Sequence, residues 1–187
     1  MNTQSVLPMM NQGTLASKVR SLWEVLRPAQ LEAVTASANR DDWQVAVLGA
    51  EMCADPATVC ERQKLLSGLL AGEPTAISLV GLLLVFRAAT VEKMPMLLKD
   101  LGEAFYRWHP LNTNQPSQLE AFLLSWLSAT CHKAGLPNSI GLVRPGERFD
   151  AARHYAMTPG VEVAQVQGWI VFRENGKVYA KARVTAK

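Results

Sequence analysis

The stretch from residue 146 to residue 154 reads GERFDAARH and separates two kinds of sequence pattern. The chain before it shows the apolar spacing of helices, whereas residues 161–166 alternate apolar and polar side chains, as a half-buried strand does. Further on, Asn175-Gly176 supplies two residues that accept positive φ between strand-like runs, which predicts a hairpin turn. The sequence therefore predicts an α+β fold, with a multi-helix N-terminal domain over residues 1–137 and a small C-terminal β-domain over residues 138–187.

The part of the chain before residue 137 predicts about seven helices. Their approximate ranges are 14–26, 28–39, 41–50, 55–72, 75–89, 92–108 and 117–135. Asp55, Thr75 and Ser117 are the predicted N-caps of three of them, because their side chains accept hydrogen bonds from free backbone amides. The helix over 75–89 is strongly apolar but too short to span a bilayer, which needs about 20 apolar residues. We therefore predict a central helix that is buried on all sides and no membrane segment.

Two of these helices carry a continuous apolar stripe. The stripe residues are Met94, Leu97, Leu98, Leu101, Phe105 and Trp108 in the first, and Leu119, Phe122, Leu123, Trp126, Leu127 and Cys131 in the second. Large side chains at helical spacing are more often core residues than ligand contacts, so both stripes are predicted to be buried. Gly135 is predicted to end the second helix.

Composition and charge indicate a globular protein with a basic tail. Of the 187 residues, 49% are hydrophobic and 19% are charged, which is typical of a folded chain. The three cysteines are odd in number and no signal-peptide pattern precedes them, so we expect a reduced, cytoplasmic protein with buried or idle thiols. Residues 144–187 hold eight basic and four acidic residues, whereas the rest holds 11 basic and 12 acidic. This basic tail either favours an acidic partner surface or is the soluble exterior of a small sheet.

No motif in the sequence predicts catalysis, a metal or a cofactor. Cys53 and Cys60 are separated by Asp55-Pro56, which interrupts a shared helix, and no further ligand pattern accompanies them. Cys131 and His132 are neighbours on a helix, so their side chains point about 100° apart. A glycine-rich phosphate loop is also missing from the sequence. The sequence therefore predicts a binding protein without cofactors rather than an enzyme.

Three motifs, in order, resemble the last helix and the β-domain of GrpE, the nucleotide-exchange factor of DnaK-type chaperones. The first is the helix end Lys133-Ala134-Gly135-Leu136, and the second is GERFDAARH, which is similar to the family's Gly-Glu-x-Phe-Asp-Pro-x-x-His. The third is the succession of Gly168-Trp169, Asn175-Gly176-Lys177-Val178 and Ala182-Arg183-Val184. The resemblance covers about residues 118–187. Ala151 stands where the family prefers Pro, and the long charged helix of the family has no counterpart here.

The resemblance implies a non-catalytic co-chaperone whose GrpE-like β-wing docks on a DnaK-type chaperone and promotes ADP release. It also implies which residues would contact the partner. These are Phe149, Asp150, Ala151, His154, Arg183 and Ala186. The helices between residues 76 and 134 are the candidate surface for a homodimer. Two alternatives stay open: a scaffold protein that retains the β-module without exchange activity, and a small-barrel nucleic-acid binder that uses the basic tail and its aromatic residues.

Overall fold

A computed structural model describes residues 42–111, 117–136 and 139–187, and residues Gln44–Lys187 form one compact unit. The helices are α1 Asp42–Leu48, α2 Ala50–Ala54, α3 Val59–Leu70, α4 Pro74–Arg87, α5 Met94–Trp108 and α6 Gln118–Lys133, with 3-10 turns at Pro56–Thr58 and Val91–Lys93. The strands are β1 Ile140–Gly141, β2 His154–Tyr155, β3 Val163–Val166, β4 Ile170–Phe172, β5 Val178–Ala180 and β6 Ala182–Ala186. The α+β fold class is thereby confirmed. The predicted helices over 14–26 and 28–39 lie outside the described residues.

The predicted helix over 41–50 is wrong in one respect, because it is broken at Gly49. Gly49 has a φ of 91°, which an L-residue with a side chain rarely adopts, so α1 ends before it and α2 begins after it. Arg87, at the end of α4, donates hydrogen bonds to the carbonyl groups of Val47, at 3.2 Å, and of Leu48. These two carbonyls have no partner within α1, so Arg87 caps the helix from a distant element.

The predictions for α4 are wrong at both its start and its outer face. Glu73, not Thr75, is the residue before the helix, since Pro74 occupies the first position, where its fixed φ suits a helix. The helix packs against α3 and α5. Leu84 and Val85 are nevertheless 43% and 49% exposed, so the helix is not buried on all sides.

The stripe on α5 is confirmed, since all six of its residues are buried. On α6, Ser117 accepts a hydrogen bond from the Glu120 amide at 2.8 Å, which confirms the predicted cap. The helix ends at Gly135 with a φ of 81°, as predicted. Four of the six stripe residues of α6 are buried, but Phe122 and Trp126 are only half-buried. The Trp126 ring meets the buried Phe86 ring edge-on at a centroid distance of 5.9 Å, and the carbon of the Arg87 guanidinium lies 5.5 Å from the Trp126 ring centroid.

The strands form two small sheets with the orders β1-β4-β5 and β2-β6-β3. The antiparallel pair β4 and β5 turns at Gly176, which has a φ of 75°, so the predicted hairpin is confirmed. Residues 178–184 alternate as one pattern in the sequence, but the chain leaves the first sheet after Ala180 and enters the second at Ala182. In the second sheet, β6 lies between β2, to which it is parallel, and β3, to which it is antiparallel.

Helices and strands share a core, and Trp169 is its central contact. The Trp169 side chain is 1% exposed, and its ring stacks on Phe105 of α5 with a centroid distance of 6.2 Å. Gly102 makes this approach possible, because a Cβ at that position would lie 2.9 Å from the Trp169 backbone nitrogen. The predicted boundary near residue 137 coincides with the change from helix to strand. That the two parts are separate domains stays a prediction.

Candidate partner-binding surface

The turn at residues 149–154 is held by several hydrogen bonds to Asp150. The Asp150 carbonyl accepts from the amides of Arg153 at 3.0 Å and His154 at 2.7 Å. Its carboxylate accepts from the Ala152 amide at 2.8 Å. Aspartate is favoured in such turns because its side chain can bond to the backbone two residues later. The Asp150 carboxylate is therefore a structural cap, although the residue itself is exposed.

His154 lies under this turn and is 3% exposed. Its Nδ1 accepts a hydrogen bond from the Asp150 amide at 3.1 Å, and its ring meets the Phe149 ring edge-on at a centroid distance of 5.7 Å. Its Nε2 is buried and has no hydrogen-bond partner among the described residues. Burial lowers the pKa of His154; Glu147 and Asp150 oppose this effect and Arg153 adds to it. The arrangement favours a neutral imidazole.

The second sheet connects the six sequence-predicted contact residues. In the register of β2 and β6, Tyr155 lies opposite Arg183, and Ala186 pairs with β3 at the far end of β6. The Phe149 amide donates to the Val161 carbonyl at 2.9 Å, which joins the turn to the loop before β3. Phe149, Asp150, Ala151, His154, Arg183 and Ala186 therefore all belong to this sheet or to the turn that enters it.

The six residues differ in accessibility. Asp150, Ala151 and Arg183 are exposed, whereas Phe149 and Ala186 are half-buried. The buried His154 cannot touch a partner in this conformation and supports the turn from below. Of the six, five are therefore available for contact.

Three exposed apolar residues in the segment that follows the turn were missed by sequence reasoning. Tyr155 is 56% exposed, and Met157 and Val161 are each 79% exposed. The alternation over residues 161–166 predicts Val161 on the same buried face as Val163, but β3 begins only at Val163, so Val161 lies in the preceding loop. We call the exposed and half-buried set the Phe149 surface. It consists of Phe149, Asp150, Ala151, Tyr155, Met157, Val161, Arg183 and Ala186.

The loop that leads into the turn is anchored to the helices by a buried polar cluster. Glu120 of α6 is 0% exposed, and its Oε1 accepts from the Tyr106 hydroxyl at 2.6 Å and from Arg144 Nη1 at 3.1 Å. Burial and the nearby Glu120 carboxylate raise the pKa of Tyr106 well above its ordinary value. Burial would lower the pKa of Arg144, but the hydrogen bonds and charges of Glu120 and Tyr106 together outweigh it and raise that pKa. The Arg144 amide also donates to Glu147 at 2.7 Å.

Sequence reasoning missed this cluster because Glu120 follows Ser117 by three residues. That spacing is the usual pattern of a capping box, in which the Glu side chain returns to its own helix end. The Ser117 half of the pattern is present, but the Glu120 carboxylate turns instead to Tyr106 and Arg144. The signal that could have found the cluster is the proximity of two polar side chains, Tyr106 and Glu120, to otherwise apolar stripes.

The surface hollows and the cysteines are weaker candidates for a functional site. Two adjoining hollows of about 300 and 260 Å3 share Glu51, Phe122 and Trp126 and are open to solvent. Cys131 is buried, which raises the pKa of its thiol, whereas Cys60 is exposed. Within the described ranges, no group of three or more His, Cys, Asp or Glu side chains could hold a metal ion.

In the part of the chain that the structure describes, no single helix is long and apolar enough to cross a membrane. Pro56–Leu70 and Pro74–Arg87 together satisfy the length and composition, but they are bent by 107° relative to each other.

The fold and the site define an α+β protein with a small two-sheet region and an exposed surface of apolar and charged residues. Comparisons with protein-family models, with curated proteins and with solved structures give no match to this chain.

Proposed function

We propose that this chain is a cytoplasmic, non-catalytic, GrpE-like co-chaperone that binds a DnaK-type chaperone through the Phe149 surface and promotes ADP release. In this mechanism the protein binds the open form of the chaperone's nucleotide cleft more tightly than the closed form. The difference between these two affinities drives the cleft open, so no bond is made or broken. The protein itself needs no cofactor for this.

The observation that carries the proposal is the combination of a fixed turn with exposed apolar side chains. Asp150 accepts three backbone hydrogen bonds within the turn, so the turn enters a complex with little conformational entropy left to lose. In the segment that follows the turn, Met157 and Val161 are each 79% exposed. Exposed apolar side chains in a cluster are typical of protein-binding surfaces. Arg183 adds a charged group of the kind enriched in such surfaces.

The test is the release of a fluorescent ADP analogue from a purified DnaK-type chaperone, with and without this protein. We expect the wild-type protein to accelerate release. Arg183→Glu reverses an exposed charge and should leave the fold intact, while Phe149→Ala removes the aromatic side chain of the turn. Each should weaken binding by about 10-fold or more, as is usual for central aromatic and arginine contacts.

Tyr179→Ala is the matched control for both variants. Tyr179 is 40% exposed on β5 of the other sheet, where the Arg173 guanidinium lies over its ring at 5.3 Å. The substitution removes an exposed aromatic residue of the same region without changing the Phe149 surface. The Tyr179→Ala variant should therefore accelerate ADP release as the wild type does. If the wild-type protein leaves the release rate unchanged at micromolar concentration, the exchange-factor proposal is wrong.

A scaffold function is the second candidate, and two exposed apolar residues of α4 favour it. Leu84 and Val85 are 43% and 49% exposed, so they are available to another protein or to a second copy of the chain. Leu84→Glu together with Val85→Lys should abolish such an association, measured as molecular mass by light scattering. The same double variant should leave ADP release unchanged if the Phe149 surface alone binds the chaperone.

A further inference from the structure

The buried imidazole of His154 supports the turn that carries Phe149 and Asp150. Its Nδ1 accepts the Asp150 amide proton at 3.1 Å, which requires a free electron pair on Nδ1 and places the ring proton on Nε2. We propose that neutral His154 is a positioning residue for the Phe149 surface, and that protonation of its Nδ1 releases the turn. The effect on the turn is independent of the proposed function, whereas the effect on chaperone binding rests on it.

The geometry explains why protonation and the turn exclude each other. A second ring proton on Nδ1 would face the Asp150 amide proton, so two donors would meet at a distance suited to a hydrogen bond. The other nitrogen offers no compensation, because Nε2 is already buried without a partner among the described residues. An imidazolium in this place would hold two buried donors and a charge without an acceptor. The turn must therefore move before the ring can take up a proton.

The charged groups that act on the ring belong to three parts of the chain. Glu147 lies in the preceding loop, Asp150 in the turn itself and Arg153 directly before β2, and all three act electrostatically on the imidazole. Strand β6, which pairs with β2, brings Ala182 opposite His154. Next to Ala182, Lys181 donates a hydrogen bond to the Ala151 carbonyl and so adds a positive charge close to the turn. The two carboxylates do not overcome burial, since the pKa of His154 stays lowered.

The direction of the pH effect follows from this lowered pKa. The folded turn binds its proton less readily than the released turn, whose imidazole has the ordinary pKa of about 6.5. The support that His154 gives is therefore complete above about pH 6.5 and is lost as the pH falls below that value. For each unit by which the pKa is lowered, the equilibrium constant for opening the turn rises by up to about tenfold at low pH.

The first measurement is an NMR titration of the full chain with His109→Gln and His132→Gln, which leaves His154 as its single histidine. We expect the Nε2-protonated tautomer at about pH 7.5 and a pKa below the ordinary value. The protection of the Asp150 amide from hydrogen exchange, corrected for the intrinsic rate, should fall as the ring titrates. The Val163 amide, which donates to the Glu147 carbonyl at 2.8 Å, is the internal control and should keep its protection. An Nδ1-protonated tautomer, or unchanged protection of Asp150 through the titration, would overturn the proposal.

Two variants distinguish the effect of the His154 hydrogen bond from the effect of the side-chain volume. In His154→Asn, the side-chain oxygen can accept from the Asp150 amide and does not titrate, so the turn should stay protected from about pH 7.5 to about pH 5. In His154→Phe, a ring of similar size remains against Phe149 but the acceptor is gone, so the Asp150 amide should be unprotected at every pH. Equal behaviour of the two variants would show that the ring acts only by its volume and would overturn the proposal.

A binding measurement then tests whether release of the turn weakens binding to the chaperone. The affinity for the DnaK-type chaperone should fall between about pH 7.5 and about pH 5.5 for the wild type, and it should fall less for His154→Asn. Comparing the two proteins removes any titration of the chaperone itself. If the chaperone does not bind at all, the proposed function fails, while the NMR titration still decides the role of His154.

Discussion

Replacing Arg144 with methionine tests whether the buried cluster holds the binding loop on the helices. Among the residues that the structure describes, the substitution leaves the Glu120 carboxylate, which is 0% exposed, with one hydrogen bond from Tyr106 and no cation beside it. Removing one partner of a buried ion pair costs about 3–5 kcal/mol. The bond from Tyr106 remains and the Arg144 side chain is itself 17% exposed, so the expected loss lies near about 2–3 kcal/mol. For a chain of this size that loss lowers the melting temperature by roughly 5–10 °C.

The assay is denaturant unfolding followed by circular dichroism, with Arg148→Met as the matched control. Arg148 belongs to the same loop but its side chain is exposed, so its replacement should change the free energy of unfolding by less than about 0.5 kcal/mol. The double variant Glu120→Gln with Arg144→Met should be more stable than the sum of the single effects predicts, because no uncompensated carboxylate remains. If Arg144→Met and Arg148→Met unfold at the same denaturant concentration, the cluster does not stabilise the loop and our reasoning is refuted.

Two further predictions concern the core beneath the loop. Because the pKa of Tyr106 is raised in the folded protein, the contribution of its hydroxyl to stability is complete below about pH 10 and is lost as the pH rises above that value. The free energy of unfolding should therefore fall less steeply with rising pH in Tyr106→Phe than in the wild type. Gly102→Ala would gain about 1 kcal/mol of helix propensity but would force a Cβ to within 2.9 Å of Trp169, and overpacking of this kind costs about 1–3 kcal/mol. We expect Gly102→Ala to lower the free energy of unfolding measured in urea titrations. A variant more stable than the wild type would contradict the close contact between Gly102 and Trp169.

Local sequence signals predicted the elements whose ends are set by neighbouring residues. Ser117 and Gly135 bound α6 because capping and left-handed φ values depend on a few adjacent residues. The hairpin at Gly176 follows from the same kind of local chemistry. The stripe on α5 was also predictable, since helical spacing alone decides which side chains share a face.

The predictions that failed depend on contacts between residues far apart in the sequence. Gly49 breaks the first described helix where Arg87, 38 residues later, supplies the donors for its end. Periodicity cannot reveal that Leu84 and Val85 of α4 are exposed, so the sequence predicts a helix that is buried on all sides. The sequence predicts no partner for the Glu120 carboxylate, and Arg144, 24 residues away, donates a hydrogen bond to it. A single sequence contains no direct signal for such pairs.

The loop and turn of the Phe149 surface are held at two points, and one of them reaches the helices. At one end of its loop, Arg144 reaches the Glu120 carboxylate between α5 and α6, and at the other end His154 lies buried beneath the turn. Between the two sheets, Trp169 fills the space that Gly102 leaves on α5. Without the helices, the indole of Trp169 would lose its contacts with Phe105 and Tyr106, and Arg144 would lose its buried partner Glu120. The geometry of the binding turn is therefore a property of the whole unit and not of the strands alone.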